Sequence, residues 1–241
     1  ATTTLGTAAA MNSAMTYPAP TGATQPSFSP AIFNAGTSIT VSLPRQVGTY
    51  THDVLYSFGS INNSVLATGQ GTSYTFTPAL SLATEIPNAV EAPYTITAIT
   101  RTAAGAEVGR LSYTGTLRVP TSQAPTVSAY AASDTNTLVA AQVGAFVQTL
   151  SVLRLDSVTA TGKQGATIVD RRLTIEGQDL ALTGTRALFN AGTIPVTARA
   201  WDSRGYEGTL GGNVTVLAYS PPIVGVVLPA APSGSVYRST G

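Results

Sequence analysis

Short runs of alternating apolar and polar residues recur along the chain, and most of them end at Pro, Gly or Asn. Residues 39–43 read Ile-Thr-Val-Ser-Leu before Pro44, and residues 194–200 alternate in the same way. A period of two residues is typical of a strand with one buried face. No long stretch has the 3.6-residue period of a helix. The pattern therefore predicts an all-β fold built from short strands and turns.

The individual elements follow from this alternation and from turn-forming residues. Strands are predicted over residues 39–43, 50–59, 74–76, 94–100, 113–119, 150–159, 168–175, 194–200 and 214–216. Turns are predicted at residues 59–63, 103–106, 161–165, 176–179 and 202–205, where Gly, Asn and Asp suit a tight backbone. Residues 78–88 are predicted to form a short helix, because Pro78 can begin it, Leu82 and Ile86 share a face, and Pro87 stops it.

The length of the chain predicts two domains. A chain of 241 residues is too long for one immunoglobulin-like sandwich of about 100 residues and suits two in tandem. We expect two tandem immunoglobulin-like or fibronectin III-like β-sandwiches at residues 27–120 and 126–222. Residues 121–125 form a short linker bounded by Pro, which limits hinge motion without abolishing it.

Both ends of the chain lie outside the predicted sandwiches. Residues 1–26 are small and uncharged, with Pro18, Pro20 and Pro26, and predict an extended N-terminal arm. The arm is either a flexible leader or a segment that docks on a neighbouring subunit. Residues 223–241 form a C-terminal extension. We expect that the natural chain continues past Gly241 or that this extension packs on a partner.

Composition excludes several function classes. Charged residues make up 10% of the chain and the net charge is +1, so nothing favours binding to nucleic acid or to an anionic membrane. The absence of Cys excludes disulfides, thiolate metal sites and Cys nucleophiles. No apolar run reaches 18 residues, so no transmembrane helix is expected. No signal peptide is visible at the N-terminus.

The single histidine gives no basis for catalysis. His52 and Asp53 are neighbours in a predicted strand, so their side chains point to opposite faces and cannot form a dyad. A catalytic triad or a zinc site needs His beside a nucleophile or beside further ligands. We therefore interpret His52 as structural or surface-exposed. The sequence predicts no catalytic, cofactor-binding or metal-binding residues, and no enzyme activity.

Two pairs of carboxylates and one glycine motif have a structural interpretation. Asp170 and Glu176 lie near one predicted strand, and Asp202 and Glu207 flank a hairpin turn, but no segment builds the cleft that a glycosidase pair needs. Asp202 is a possible calcium ligand, although a turn-forming role is favoured because calcium needs several oxygen ligands. Residues 69–71 read Gly-Gln-Gly and form a turn rather than a phosphate loop.

Charged and aromatic clusters are also assigned to structure. Residues 170–172 read Asp-Arg-Arg and predict a solvated strand face, with a partner contact as the alternative. One set of aromatic residues is predicted to form core rather than a sugar-binding platform: Tyr50, Tyr56, Phe58, Tyr74, Phe76, Tyr94 and Tyr113.

Several segments, taken in order, resemble one protein family. In the first half they are Tyr-Thr-His-Asp-Val-Leu-Tyr-Ser-Phe-Gly (50–59), Gly-Thr-Ser-Tyr-Thr-Phe-Thr-Pro-Ala-Leu-Ser-Leu-Ala-Thr-Glu-Ile-Pro-Asn-Ala (71–89) and the segment from Val-Gly to Val-Pro (108–120). In the second half they are residues 146–148, 165–168, 176–177, 201–205 and 216–222. The series resembles minor structural proteins of long-tailed, siphovirus-type phages of Gram-positive hosts. The chain departs from that family at residues 91–93 and in the N-terminal arm.

The resemblance implies a function that the residues alone do not. The family implies immunoglobulin- or fibronectin-like domains along a tail fibre or tail tip, which space or present host-recognition parts in the virion tail. It implies no catalytic residues and no cofactor. The implied partners are other tail proteins and a host cell-wall glycan or surface receptor, and a homotrimer is the first expectation for the assembly. The alternatives are a capsid-surface decoration protein and a bacterial cell-surface adhesin or carbohydrate-binding module.

Overall fold

The first eight strands form a sandwich of two sheets in the computed structural model, which describes residues 22–222. We call this sandwich module 1. Its strands are β1 (Ser27–Phe28), β2 (Ile32–Asn34), β3 (Ile39–Ser42), β4 (Thr51–Phe58), β5 (Ile61–Gln70), β6 (Ser73–Phe76), β7 (Glu91–Arg101) and β8 (Glu107–Arg118). The smaller sheet has the order β1-β3-β6, and the larger sheet has the order β2-β8-β7-β4-β5.

The next eight strands form a second sandwich, module 2. They are β9 (Thr126–Asp134), β10 (Phe146–Val147), β11 (Val152–Thr161), β12 (Ile168–Ile175), β13 (Gln178–Ala181), β14 (Thr185–Ala187), β15 (Gly192–Asp202) and β16 (Glu207–Leu217). The smaller sheet has the order β9-β11-β14, and the larger sheet has the order β10-β16-β15-β12-β13.

The two modules share one topology. In each module the second strand pairs in parallel with the last strand, β2 with β8 and β10 with β16. The backbone hydrogen bonds after that strand also repeat, since Ala35 N donates to Arg118 O at 2.9 Å and Gln148 N donates to Leu217 O at 2.8 Å. The prediction of two tandem immunoglobulin-like β-sandwiches is confirmed.

Alternating residues supply the core of each sandwich. The predicted inward face of β15 is buried along its length, at Ile194, Val196, Ala198 and Ala200. Tyr94 is the largest fully buried side chain of module 1. Among the described residues, the two hydrophobic cores have no member in common.

The predicted turn at residues 59–63 is wrong over its second half, because β5 begins at Ile61. This strand lies at the edge of the larger sheet, and its pairing with β4 changes register at three places. Asn63 has a left-handed backbone, with φ of 49°, inside the strand. This strand forms through backbone hydrogen bonds to β4. Its buried and exposed side chains do not alternate regularly, so the sequence pattern did not indicate a strand. In the same way, residues 178 and 179 belong to β13 rather than to a turn.

A short α-helix, α1 (Thr137–Val143), separates β9 from β10 and has no predicted counterpart. Asn136 caps its start by accepting a hydrogen bond from Val139 N, and Gly144 ends it with a left-handed backbone. None of its residues is buried, so it adds no core to module 2. Between residues 22 and 222, no helix has the length and apolar character needed to cross a membrane.

The part of the N-terminal arm that the structure describes, residues 22–26, packs on module 1 of the same chain. Thr24 N donates to Thr100 Oγ1 at 2.8 Å, and Gln25 Nε2 donates to Ser112 O at 2.8 Å. Thr24 is buried as a result. The predictions for residues 1–21 and for the extension at residues 223–241 fall outside the described residues.

The proposed division of the chain at the linker gives a direct prediction. A chain separated after Gln123 should yield two fragments that each unfold in one cooperative thermal transition, because each fragment keeps its own hydrophobic core. Each midpoint should be lower than in the intact chain, since the contacts between modules are lost. Circular dichroism of both fragments tests this. A fragment without a cooperative transition would show that the proposed boundary is misplaced.

Candidate functional site

One buried arginine joins the two modules. Arg204 lies in the turn between β15 and β16, and its guanidinium donates to two carbonyls of module 1, Ala83 O at 2.8 Å and Ile86 O at 3.3 Å. The same group donates within module 2 to Lys163 O at 2.9 Å and Gln164 O at 2.6 Å. Four of the five N–H groups of the guanidinium are therefore occupied. The Arg204 side chain has no exposed surface.

The turn that carries Arg204 is stabilised by Asp202. Asp202 Oδ1 accepts hydrogen bonds from Arg204 N at 3.0 Å and from Tyr206 N at 2.9 Å. Gly205 completes the turn with φ of 84°, which favours glycine. The turn predicted at residues 202–205 is thus confirmed, and so is the turn-forming role of Asp202. Its geometry directs the arginine towards module 1.

The two carbonyls of module 1 that accept from Arg204 belong to a short 3₁₀ helix, Leu80–Glu85, and to the residue that follows it. Leu82 and Ala83 are buried and fix the helix against the sandwich. Carbonyl oxygens have two lone pairs, so Ala83 O accepts from Arg204 in addition to Ile86 N. The short helix predicted over residues 78–88 is confirmed in position, and it forms the surface on which module 2 docks.

Two further hydrogen bonds cross the junction, and a third joins module 2 to the linker. Ser203 Oγ donates to Pro87 O at 2.6 Å, and the Tyr206 hydroxyl donates to Val119 O at 2.5 Å. Lys163 Nζ donates to Ser122 O at 3.0 Å, which attaches the loop between β11 and β12 to the linker. Burial raises the pKa of Tyr206, so its hydroxyl keeps the proton that it donates.

The linker itself packs directly against β16. A Cβ atom on Gly208 would lie 2.0 Å from Pro125 O, so only glycine fits at this position. Gly208 is buried beneath the linker backbone. The linker therefore follows the surface of module 2 over this stretch.

The charge of Arg204 is balanced inside the junction. Asp202 Oδ2 lies 4.0 Å from Arg204 Nη1, and neither side chain has exposed surface. Within residues 22–222, Asp202 Oδ2 has no hydrogen-bond partner of its own. A buried charge is costly unless carbonyl dipoles and an opposite charge surround it, and Arg204 has both. Because Asp202 and Arg204 both belong to module 2, their pairing positions the guanidinium, and its bonds to Ala83 O and Ile86 O attach it to module 1.

The sequence predicts the turn at residues 202–205 but not its contacts. Ser203, Arg204 and Tyr206 all reach residues more than 80 positions earlier in the chain. The only local signal is an arginine placed at the tip of a tight turn directly after a long strand. The Pro-bounded linker predicted a limited hinge, whereas the junction adds a buried arginine, two crossing hydrogen bonds and a bond from module 2 to the linker.

His52 has a structural position. It is fully buried, with Nδ1 2.7 Å from Gly71 O and Nε2 2.7 Å from Thr24 Oγ1. A carbonyl only accepts, so Nδ1 carries a proton that it donates to Gly71 O. Both ring nitrogens therefore bind structural groups, and Asp53 forms an ion pair with Arg101 at 2.5 Å instead of contacting His52. The structural interpretation of His52 agrees with this geometry.

The remaining carboxylates weighed in the sequence are paired with arginines. Asp170 pairs with Arg172 at 2.9 Å, and Glu207 pairs with Arg199 at 3.0 Å. Glu176 pairs with an arginine of β14 at 2.8 Å, and hydrogen bonds, first from Asn190, lower its pKa. Over residues 22–222, no three His, Asp or Glu side chains come together in a group that could hold a metal ion.

The predicted aromatic core is present in module 1. Phe58, Phe76 and Tyr94 are buried, and Tyr56, Tyr74 and Tyr113 are partly buried against them. Tyr94 is at the centre, because four aromatic rings contact it, among them Phe33 at 5.5 Å and Tyr56 at 5.4 Å between centroids. Tyr50 is half-buried beside Gly22 of the N-terminal segment.

Comparison with known families identifies the chain. A siphovirus protein family of unknown function (DUF859) matches residues 21–229. The chain belongs to this siphovirus family. The match includes both modules and the junction between them. It confirms the resemblance to siphovirus proteins, while the tail-fibre role and the Gram-positive host stay predictions. No curated protein matches this siphovirus chain.

Several solved structures resemble the siphovirus chain weakly. Murine CEACAM1b is 10% identical, with 80% of this chain and 100% of that chain covered and a TM-score of 0.33. A tetra-tandem repeat in the extending region of a large adhesion protein is 17% identical, with 80% of this chain and 49% of that chain covered and a TM-score of 0.31. Three N-terminal domains of the outer capsid protein Hoc of bacteriophage RB49 are 11% identical, with 81% of this chain and 58% of that chain covered and a TM-score of 0.26. At these TM-scores the matches do not indicate a shared function.

Proposed function

We propose that this siphovirus protein is a structural component of the phage tail, either a tail fibre or a minor tail protein. Its two β-sandwiches act as a spacer of fixed geometry that positions host-recognition parts. The observation that supports this role is the buried Arg204 junction. A spacer with a free hinge would not fix the direction of what it carries, whereas a guanidinium held by two bonds in module 2 and two bonds to module 1 opposes such motion.

We propose a mechanical role rather than catalysis. Both ring nitrogens of His52 are engaged in structural contacts, and Asp170 and Glu207 are engaged by arginines. These groups are therefore occupied in holding the fold. The proposed partners are other tail proteins, with a host cell-wall glycan or surface receptor as a further contact. A homotrimer is the proposed assembly, since fibre proteins are commonly symmetric.

Electron microscopy of whole phage particles tests the tail assignment. Particles are labelled with a gold-conjugated antibody raised against this chain, and the same antibody absorbed with purified protein serves as the control. We expect gold at the tail tip or along the tail fibres. Gold on the head would overturn the assignment in favour of a capsid decoration protein. Unlabelled particles, together with binding of the protein to bacterial envelopes, would instead favour an adhesin.

A further inference from the structure

Module 1 contains a pocket outside the junction. Its volume is about 410 Å³, and it lies between the 3₁₀ helix at Leu80–Glu85 and the edge of the larger sheet. Ile61 and Leu66 of β5 line one side, and Leu82 of the helix lines another. The volume lies in the range of small-molecule sites, which are mostly apolar with a few polar groups that fix orientation.

Aromatic rings form one wall of this pocket. The rings of Tyr56 and Tyr94 stack with centroids 5.4 Å apart and planes 11° apart. Phe76, which also lines the pocket, stacks on Tyr94 at 6.2 Å. Burial raises the pKa of Tyr94, so its ring stays neutral. Tyr94 is 1% exposed, so the half-buried ring of Tyr56 is the aromatic surface that a ligand meets, and the face of an aromatic ring attracts a cation electrostatically.

One carboxylate, that of Glu85, lines the same pocket. Glu85 Oε2 accepts from Ser60 N at 3.0 Å and from Ser60 Oγ at 2.5 Å. The side-chain bond and then the backbone bond from Ser60 lower the pKa of Glu85, so this carboxylate is ionised at neutral pH. Its other oxygen, Oε1, has no hydrogen-bond partner within residues 22–222. In this part of the chain, no Lys, Arg or His side chain lines the pocket.

The position of Glu85 is fixed by the turn between β4 and β5. A Cβ atom on Gly59 would lie 2.6 Å from Glu85 Cβ, so the absence of a side chain on Gly59 lets Glu85 lie across this turn. The two bonds to Ser60 then hold one carboxylate oxygen and leave the other available. The carboxylate of Glu85 is therefore held in place at the pocket and does not rotate freely as an unattached surface side chain would.

We propose that this pocket binds an organic cation, an ammonium group on a short aliphatic stem such as a lysine side chain carries. Glu85 Oε1 and the face of the Tyr56 ring contact the ammonium group, while the apolar lining contacts the stem. Anionic ligands are disfavoured because the one charged group of the lining is negative. The site goes beyond the structural role proposed above, since it gives module 1 a selective contact with a partner.

Titration of the full chain with n-butylammonium chloride, followed by NMR chemical shifts at constant ionic strength, tests the proposal. We expect saturable shifts at residues that line the pocket, with weaker binding of n-butanol and none of butyrate. Glu85→Gln keeps an oxygen that can accept from Ser60 but removes the charge, and it should weaken binding of n-butylammonium by about fivefold.

Matched variants distinguish binding at the pocket from a general effect of the protein's charge on affinity. Glu107→Gln removes the same charge from module 1 at an exposed position paired with Arg110, and it should leave the affinity unchanged. Tyr56→Leu removes the aromatic ring and should weaken binding of n-butylammonium more than that of n-butanol. Equal affinity for n-butylammonium and n-butanol would overturn the proposal, and so would the absence of saturable shifts at the pocket.

Discussion

Replacement of Arg204 with alanine is expected to release module 2 from module 1. The variant loses four hydrogen bonds of a charged group and leaves the Asp202 carboxylate buried without its counter-charge. Breaking a buried ion pair in this way costs about 3–5 kcal/mol. Because Arg204 and Asp202 belong to module 2, a domain of about 100 residues, the midpoint of module 2 should fall by about 12–40 °C, at roughly 4–8 °C per kcal/mol.

Small-angle X-ray scattering and thermal unfolding of the Arg204→Ala variant measure the two consequences. We expect a larger radius of gyration and a wider distribution of interdomain distances, because the linker and the single hydrogen bonds of Ser203 and Tyr206 then hold the modules together. Arg204→Lys should give an intermediate result, since a compact ammonium cannot reach four carbonyls arranged around a planar guanidinium. Arg110→Ala removes an exposed arginine of module 1 and serves as the control.

The fixed-spacer proposal depends on this result. If Arg204→Ala leaves both the scattering curve and the midpoint unchanged, then Tyr206, Ser203 and the packing of Gly208 on the linker hold the junction without it. A change in scattering with an unchanged midpoint would show that the arginine sets the angle between the modules but adds little stability.

Side-chain alternation predicted the strands that have one buried face. In β15 the alternation from Ile194 onwards placed the buried residues correctly, because this strand lies inside a sheet whose one face packs on the core. Strand β5 was missed for the opposite reason. It lies at a sheet edge, its side chains are mostly exposed or half-buried, and backbone pairing with β4 holds it. Local pattern is informative only where burial differs between the two faces.

The junction could not be predicted from local sequence. Its turn was predictable because Asp202 and Gly205 act on their own backbone. Its function depends on the carbonyl oxygens of Ala83 and Ile86, and a carbonyl group is present at every residue of any sequence. The partner of Arg204 is thus set by how two folded modules meet. The burial of His52 has a similar origin, since Thr24 comes from a segment 28 residues earlier.

Replacement of Tyr94 with alanine is expected to have the largest effect on module 1. The ring is 1% exposed and contacts Phe33, Tyr56, Phe58 and Phe76, so the substitution opens a cavity at the centre of the aromatic core. Large-to-small changes of this kind cost about 3–5 kcal/mol. That cost is a large share of the roughly 5–15 kcal/mol that stabilises a typical domain. Tyr219→Ala, at an exposed tyrosine after β16, is the control and should change little.

The single tryptophan allows the unfolding of the two modules to be followed separately in this experiment. Trp201 lies in β15, so its fluorescence reports unfolding of module 2, whereas circular dichroism reports both modules. In Tyr94→Ala, the part of the circular dichroism transition that belongs to module 1 should move to lower denaturant. The Trp201 transition should move by no more than the coupling energy lost in Arg204→Ala, because only the junction links module 2 to module 1. An equal shift of both signals that exceeds this coupling would mean that the two sandwiches unfold as one unit, and the prediction of separate unfolding would then be wrong.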